Sequence, residues 1–84
     1  MYYIYIVQCS DKTYYSGYTK NLKRRVDEHN NSKKGAKYTS ARRPVKLVYS
    51  EKFDSLSDAL KREYEIKGMT RERKINLVKK SGTN

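Results

Sequence analysis

Residues 2–8, Tyr2-Tyr3-Ile4-Tyr5-Ile6-Val7-Gln8, and residues 14–18, Tyr14-Tyr15-Ser16-Gly17-Tyr18, decide the fold of this chain. Both runs are rich in β-branched and aromatic side chains, and in the first Tyr2, Ile4 and Ile6 alternate against Tyr3, Tyr5 and Val7. Such residues suit a pleated, half-buried surface, and the polar Ser10-Asp11-Lys12 between the runs suits a chain reversal. The reading is a β-hairpin. It brings together Tyr5 and Tyr15, ten positions apart in sequence, and Arg25 follows after ten more.

Beyond the hairpin the period changes from two to about 3.6. Asn21 is a good N-cap, and Leu22, Val26 and His29 recur at i, i+4 and i+7, so a helix runs to about Asn30-Asn31-Ser32. A basic loop from Lys33 to Arg43, containing Gly35, leads to Pro44 and a third strand, Val45-Lys46-Leu47-Val48-Tyr49. Ser55 and Asp58 form an approximate capping box for a helix to Lys67, with Gly68 as its C′ residue. Thr70 caps a last helix that carries Ile75 and Val78. The order is ββαβαα, an α+β fold with helices on a three-stranded antiparallel sheet. It forms one domain over residues 1–80, followed by a flexible tail at 81–84.

At 84 residues the domain buries only about 60–65% of its unfolded surface, so its core is modest. Twenty Lys and Arg against nine Asp and Glu give a net charge of +11, spread along the chain. Nucleic acid is the commonest partner of such a balance, with an anionic membrane as the rival. No apolar run approaches the roughly 20 residues of a membrane span, and the start lacks the pattern of a signal peptide. The expectation is a cytoplasmic protein. Cys9 is the only cysteine, which fits a reduced compartment, and His29 is the only histidine, which removes most zinc and triad chemistries.

Helical spacing puts two charged residues on packed stripes. Arg25 and His29 share the apolar stripe of the first helix, while Lys23, Arg24, Asp27 and Glu28 lie elsewhere. On the next helix Leu56, Ala59, Leu60, Glu63 and Ile66 share a stripe, and Lys61, Arg62 and Glu65 reach water. An ion on a buried face costs several kcal/mol unless it is paired or binds a metal. Either Arg25 and Glu63 form a structural ion pair, or they belong to a site.

Four blocks, in order, carry a resemblance: Tyr3-Ile4-Tyr5, Tyr15-Ser16-Gly17, Asn21-Leu22-Lys23-Arg24-Arg25-Val26 and Ala59-Leu60-Lys61-Arg62-Glu63. Together they resemble the successive motifs of the GIY-YIG nuclease domain over most of the chain. The chain is similar to the incision domain of the excision repair nuclease and to phage homing endonucleases. It is most similar to small standalone bacterial members of the superfamily. Tyr3 replaces the first glycine of the name motif, Ser16 replaces the isoleucine of the second, and Tyr18 stands where some members carry lysine. The reactive groups of the family match at Tyr5, Tyr15, Arg25 and Glu63, and His29 stands where members carry histidine or tyrosine.

The resemblance implies a divalent-metal-dependent endonuclease that hydrolyses DNA phosphodiester bonds, in repair or recombination. Glu63 would hold one Mg²⁺ or Mn²⁺, and Arg25 would neutralise charge on the phosphorane-like transition state. Tyr5 would help deprotonate the attacking water, with Tyr15 and His29 positioning it or sharing the proton. His29 stays open as an alternative base, because a phenol with a pKa near 10 is only about one part in a thousand ionised at pH 7. A nearby metal ion, Arg25 and the general positive field all favour phenolate, so a lowered tyrosine pKa is expected. Lys20, Lys23, Arg24, Lys33, Lys34, Lys37, Arg42 and Arg43 would track a phosphate backbone without reading sequence. DNA ranks ahead of RNA as partner. The alternative is a nucleic-acid-binding module on the same fold that is non-catalytic or depends on a protein partner.

Overall fold

The computed structural model describes residues 1–31 and 37–80, which form β1 (Tyr2–Gln8), β2 (Tyr14–Thr19), α1 (Leu22–Asn31), α2 (Lys37–Ser40), β3 (Lys46–Phe53), α3 (Leu56–Lys67) and α4 (Arg71–Lys80). The expected tail at 81–84, and with it Ser32, Lys33, Lys34 and Gly35, lies outside the described residues. The strands make one antiparallel sheet in the order β2-β1-β3, with Tyr5 opposite Gly17 on one side and Ser50 on the other. β1 is central, and its alternation puts apolar residues on both faces. Ile4 and Ile6 pack with Ala59 and Ile66 of α3 and with Leu77 and Val78 of α4, whereas Tyr5 and Val7 pack with Leu22 and Val26 of α1.

Local chemistry sets the element boundaries. Asp11 accepts hydrogen bonds from the backbone N–H and the hydroxyl of Thr13, which tightens the hairpin turn and leaves Lys12 at φ 72°. The Asn21 side chain accepts from the Arg24 N–H, that of Ser55 from the Asp58 N–H, and that of Thr70 from the Arg73 N–H. Each satisfies a helix donor that would otherwise lack a partner. Gly68 closes α3 as expected, yet at φ −82° it is in the ordinary helical region and needs no glycine freedom.

Four features differ from the sequence reading. The basic loop contains the one-turn helix α2, which places Thr39 in the interior. β3 begins at Lys46 and continues to Phe53, past the apolar run, because its later residues alternate between half-buried and exposed positions on a sheet edge. Val45 sits just before it, bracketed by the Asn30 side chain, whose Nδ2 donates to the Val45 carbonyl at 3.0 Å and whose Oδ1 accepts from its N–H at 2.7 Å. On α3, Leu56 and Leu60 are more than one-third exposed, so Ala59 and Ile66 carry the core contact. Arg62, expected in water, instead grips Glu51 of β3 through Nε and Nη2, and Glu51 also accepts from the Tyr49 hydroxyl.

Candidate active site

β1 supplies Tyr5, whose phenol is 2% exposed although it is polar. Its oxygen accepts from Arg25 Nε at 3.3 Å and lies 2.9 Å from His29 Nε2, both on α1 and one helical turn apart. His29 is fully buried, and its Nδ1 lies 2.8 Å from the Thr39 hydroxyl of α2. Arg25 can only donate. The two His29 contacts set their roles together: if the Tyr5 hydroxyl donates to Nε2, then Nδ1 carries the proton and donates to Thr39 Oγ1.

The phenol has room because its cross-strand neighbour is Gly17. A Cβ there would stand 2.6 Å from Tyr5 Oη and 2.9 Å from Cζ, closer than side chains tolerate. Tyr15, next to Gly17's neighbour on β2, meets the His29 ring edge-on at 5.4 Å and stacks on Tyr38 of α2 at 5.9 Å. The Arg42 guanidinium covers Tyr38 at 4.0 Å, pairs with Asp11 at 3.1 Å and donates to the Tyr38 carbonyl. Two aromatic rings and an imidazole thus form a continuous wall beside the phenol.

Without a metal ion, burial outweighs the positive charge around Tyr5. Burial pushes the Tyr5 phenol above its ordinary 10.0, and the Arg25 bond and charge oppose that shift without overcoming it. Burial, followed by the positive charge of Arg25, lowers His29 to about 4. The imidazole is therefore neutral at pH 7. Arg25 remains a cation: burial works against its charge, but its bonds to Tyr5 and to Glu28, 3.0 Å away, more than compensate.

Arg25 and Glu63 do not pair with each other. Arg25 turns to Glu28, and Glu63 lies 3.4 Å from Lys67 Nζ. The Glu63 side chain is 17% exposed, and its charge bears on the Tyr5 phenol. Among the described residues no three His, Cys, Asp or Glu side chains gather as a metal cluster. Glu63 nevertheless fits a single hydrated Mg²⁺ or Mn²⁺. Its carboxylate already holds a cation, the ammonium of Lys67, and Mg²⁺ needs only one or two carboxylates because it keeps most of its waters.

The basic residues divide into two sets. Lys20, Lys23, Arg24 and Lys37 are exposed. Arg42 is engaged as above, and Arg43 Nε donates to the His29 carbonyl at 2.6 Å, so a phosphate contact by either would compete with bonds that hold the site together. Lys33 and Lys34 fall outside the described residues. Sequence reasoning missed Glu28, Tyr38 and Thr39. The only local signal was the pairing of Arg25 with an acidic residue three positions on.

A three-stranded sheet with a buried phenol, guanidinium and imidazole converging on a glycine defines a class, the GIY-YIG domain. The profile of the GIY-YIG catalytic domain matches residues 1–76. A UPF0213 protein of Syntrophus aciditrophicus is 57% identical over 79 residues, covering 94% of this chain and 91% of that protein. One from Staphylococcus saprophyticus is 57% identical over 76 residues, covering 90% and 92%. The solution NMR structure of the UPF0213 protein of Bacillus halodurans is 43% identical with a TM-score of 0.64, and covers 99% of this chain and 88% of that one. That of an E. faecalis protein is 39% identical with a TM-score of 0.65 and the same coverage. The chain belongs to the GIY-YIG family and, within it, to the UPF0213 proteins. No helix among the described residues is long and apolar enough to cross a membrane.

Proposed function

We propose that this protein is a divalent-metal-dependent endonuclease that hydrolyses DNA phosphodiester bonds, acting in the cytoplasm in repair or recombination as a single domain over residues 1–80. The observation that carries this reading is the Tyr5 hydroxyl, which accepts from Arg25 Nε and lies 2.9 Å from His29 Nε2. A purely structural tyrosine needs neither a half-buried cation nor a neutral imidazole. In this arrangement Tyr5 accepts a proton from the attacking water as its own proton passes to His29 Nε2. A histidine that ionises near 4 releases that proton readily, which resets the pair.

Arg25 keeps its charge and faces the negative charge that develops on the phosphate. Thr39 holds the imidazole in the Nδ1 tautomer, and Tyr15 fixes the ring plane. Glu63 would hold the divalent ion, which supplies electrostatic stabilisation of the phosphate oxygens when bound. The exposed Lys20, Lys23, Arg24 and Lys37, together with Lys33 and Lys34, bind the phosphate backbone without reading sequence.

The test is nicking of supercoiled plasmid and of branched DNA with Mg²⁺ or Mn²⁺, beside Glu63→Gln purified identically. Cleavage by the parent alone supports the nuclease and assigns the metal residue. Equal cleavage by both removes the site assignment. A second reading, a nucleic-acid-binding module without turnover of its own, is favoured by the raised Tyr5 pKa, which disfavours the phenolate. Salt-sensitive DNA binding with no product in either sample would select it.

A further inference from the structure

A second depression adjoins the candidate active site at the outer edge of β2. It has a volume of about 280 Å³ and is lined by Tyr14, Tyr15, Ser16, Tyr38, Lys67 and Lys74. Its ingredients come from four elements, β2, α2, α3 and α4. Two lysines supply positive charge, and Lys74 forms no ion pair among the described residues. The Tyr15 and Tyr38 rings supply a flat apolar wall, already stacked with planes 21° apart.

Ser16 gives this depression a polar floor. Its residue is 5% exposed, and its hydroxyl is buried with no hydrogen-bond partner. A buried hydroxyl left unpaired costs about 1–3 kcal/mol, so such groups call for an explanation. The related name motif places isoleucine at this position. Here a shorter, polar side chain lies beneath two lysines instead of a hydrocarbon that would fill the space.

We propose that this depression is a nucleotide subsite, which takes an unpaired nucleotide next to the cleaved phosphodiester. The proposal rests on the nuclease reading above and names the form of nucleic acid that site accepts. Lys67 and Lys74 hold the phosphate, the Ser16 hydroxyl donates to it, and the base packs against the edges of Tyr15 and Tyr38, because Tyr15 and the Arg42 guanidinium already cover the two faces of Tyr38. The volume is just below the range of ordinary ligand pockets, which begins near about 300 Å³, and suits a single small unit such as one nucleotide.

Two residues join this subsite to the active site. Tyr15 meets His29 edge-on, and Lys67 is the partner of Glu63. A metal ion at Glu63 would free the Lys67 ammonium for the neighbouring phosphate. The enzyme therefore prefers flaps, branches and single strands to continuous duplex.

The experiment is a metal-free NMR titration of the protein with a 5′-phosphorylated thymidine dinucleotide, which reads binding apart from cleavage. Ring signals of Tyr15 and Tyr38 and the side-chain signals of Lys74 should shift saturably. Lys74→Gln should weaken binding about fivefold to tenfold, as expected for the loss of one charge-assisted phosphate contact. Ser16→Ala, which keeps the fold, should weaken it by a smaller factor. Shifts at Arg25 and Tyr5 without any at Tyr38 and Lys74 would overturn the subsite and leave the nuclease reading standing. Absence of shifts everywhere, with no retardation of longer DNA in a gel, would remove both. Inorganic phosphate binding as tightly as the dinucleotide would overturn the nucleotide assignment.

Discussion

Gly17 lies opposite Tyr5 in the sheet, and its missing side chain is the space the phenol occupies: a Cβ at position 17 would stand 2.6 Å from Oη. The glycine is required here by a close approach and not by an unusual backbone angle. Gly17→Ala should cost about 1–3 kcal/mol of stability and abolish cleavage, because Tyr5 must leave Arg25 or His29. Urea unfolding of Gly17→Ala, Tyr5→Phe and the double variant checks the cause. The double variant should be more stable than additivity predicts, since removing Oη removes the worst clash.

The histidine makes stability fall in acid. Its folded pKa, about 4, lies below the ordinary 6.5, so between these values the unfolded chain binds more protons than the folded one. This contribution is fully present above about pH 6.5 and is lost as the pH falls toward about 4, amounting to about 1–3 kcal/mol. Urea midpoints measured across that window should decline steeply for the parent and less steeply for His29→Gln.

The rate profile separates the two candidate bases. If the Tyr5 phenolate is the base, log kcat/KM rises with pH through the neutral range and beyond, because burial holds its ionisation above 10.0. If His29 is the base, the acid limb falls near 4 and the profile is flat at neutral pH. The relay through the neutral imidazole predicts the flat profile with its acid limb near 4, with Tyr5→Phe inactive while its DNA affinity stays within about threefold, since a single neutral hydroxyl contributes little to binding.

Lys12 adopts φ 72° without being glycine. The left-handed region costs an L-residue roughly 1–2 kcal/mol, partly offset in glycine by its greater unfolded-state freedom. Lys12→Gly should therefore raise the urea midpoint by a small amount, equivalent to about 0.5 kcal/mol. An unchanged or lower midpoint would show that the Asp11 bonds to Thr13 already offset the strain.

Glu51 binds the Arg62 guanidinium and accepts from the Tyr49 hydroxyl, with Arg62 and Glu51 both about one-quarter exposed. Glu51→Ala takes the acceptor from the Tyr49 hydroxyl and leaves Arg62 only Glu65, 3.2 Å from its Nη1, and should cost about 1–3 kcal/mol, measured by urea unfolding at neutral pH. A loss below about 0.5 kcal/mol would place this pair with ordinary surface salt bridges.

Sequence pattern carried the sheet, the helix caps and the inward direction of Arg25 and His29, because period and capping chemistry are local. The same periodicity overstated Leu56 and Leu60, since the α3 stripe is wider than the strip of sheet it covers. It also assigned Arg62 to water, because its partner Glu51 sits in β3, eleven positions earlier. Thr39 and Tyr38 had no signal at all. They come from a basic loop without periodicity, and only tertiary contact with His29 and Tyr15 gives them meaning. The upward push of burial on the Tyr5 phenol has no signal in the sequence either: neighbouring charge can be read from spacing, but the depth of burial cannot.

β1 is the first strand to be synthesised and the last to be completed. It carries Tyr5, yet its neighbours on the two sides come from β2 and from β3, which ends at Phe53, and the carboxylate that bears on its phenol comes from Glu63. A growing chain can therefore hold every residue of the first three motifs and still have no assembled centre. Under the nuclease reading, the centre is complete only once α3 has supplied Glu63.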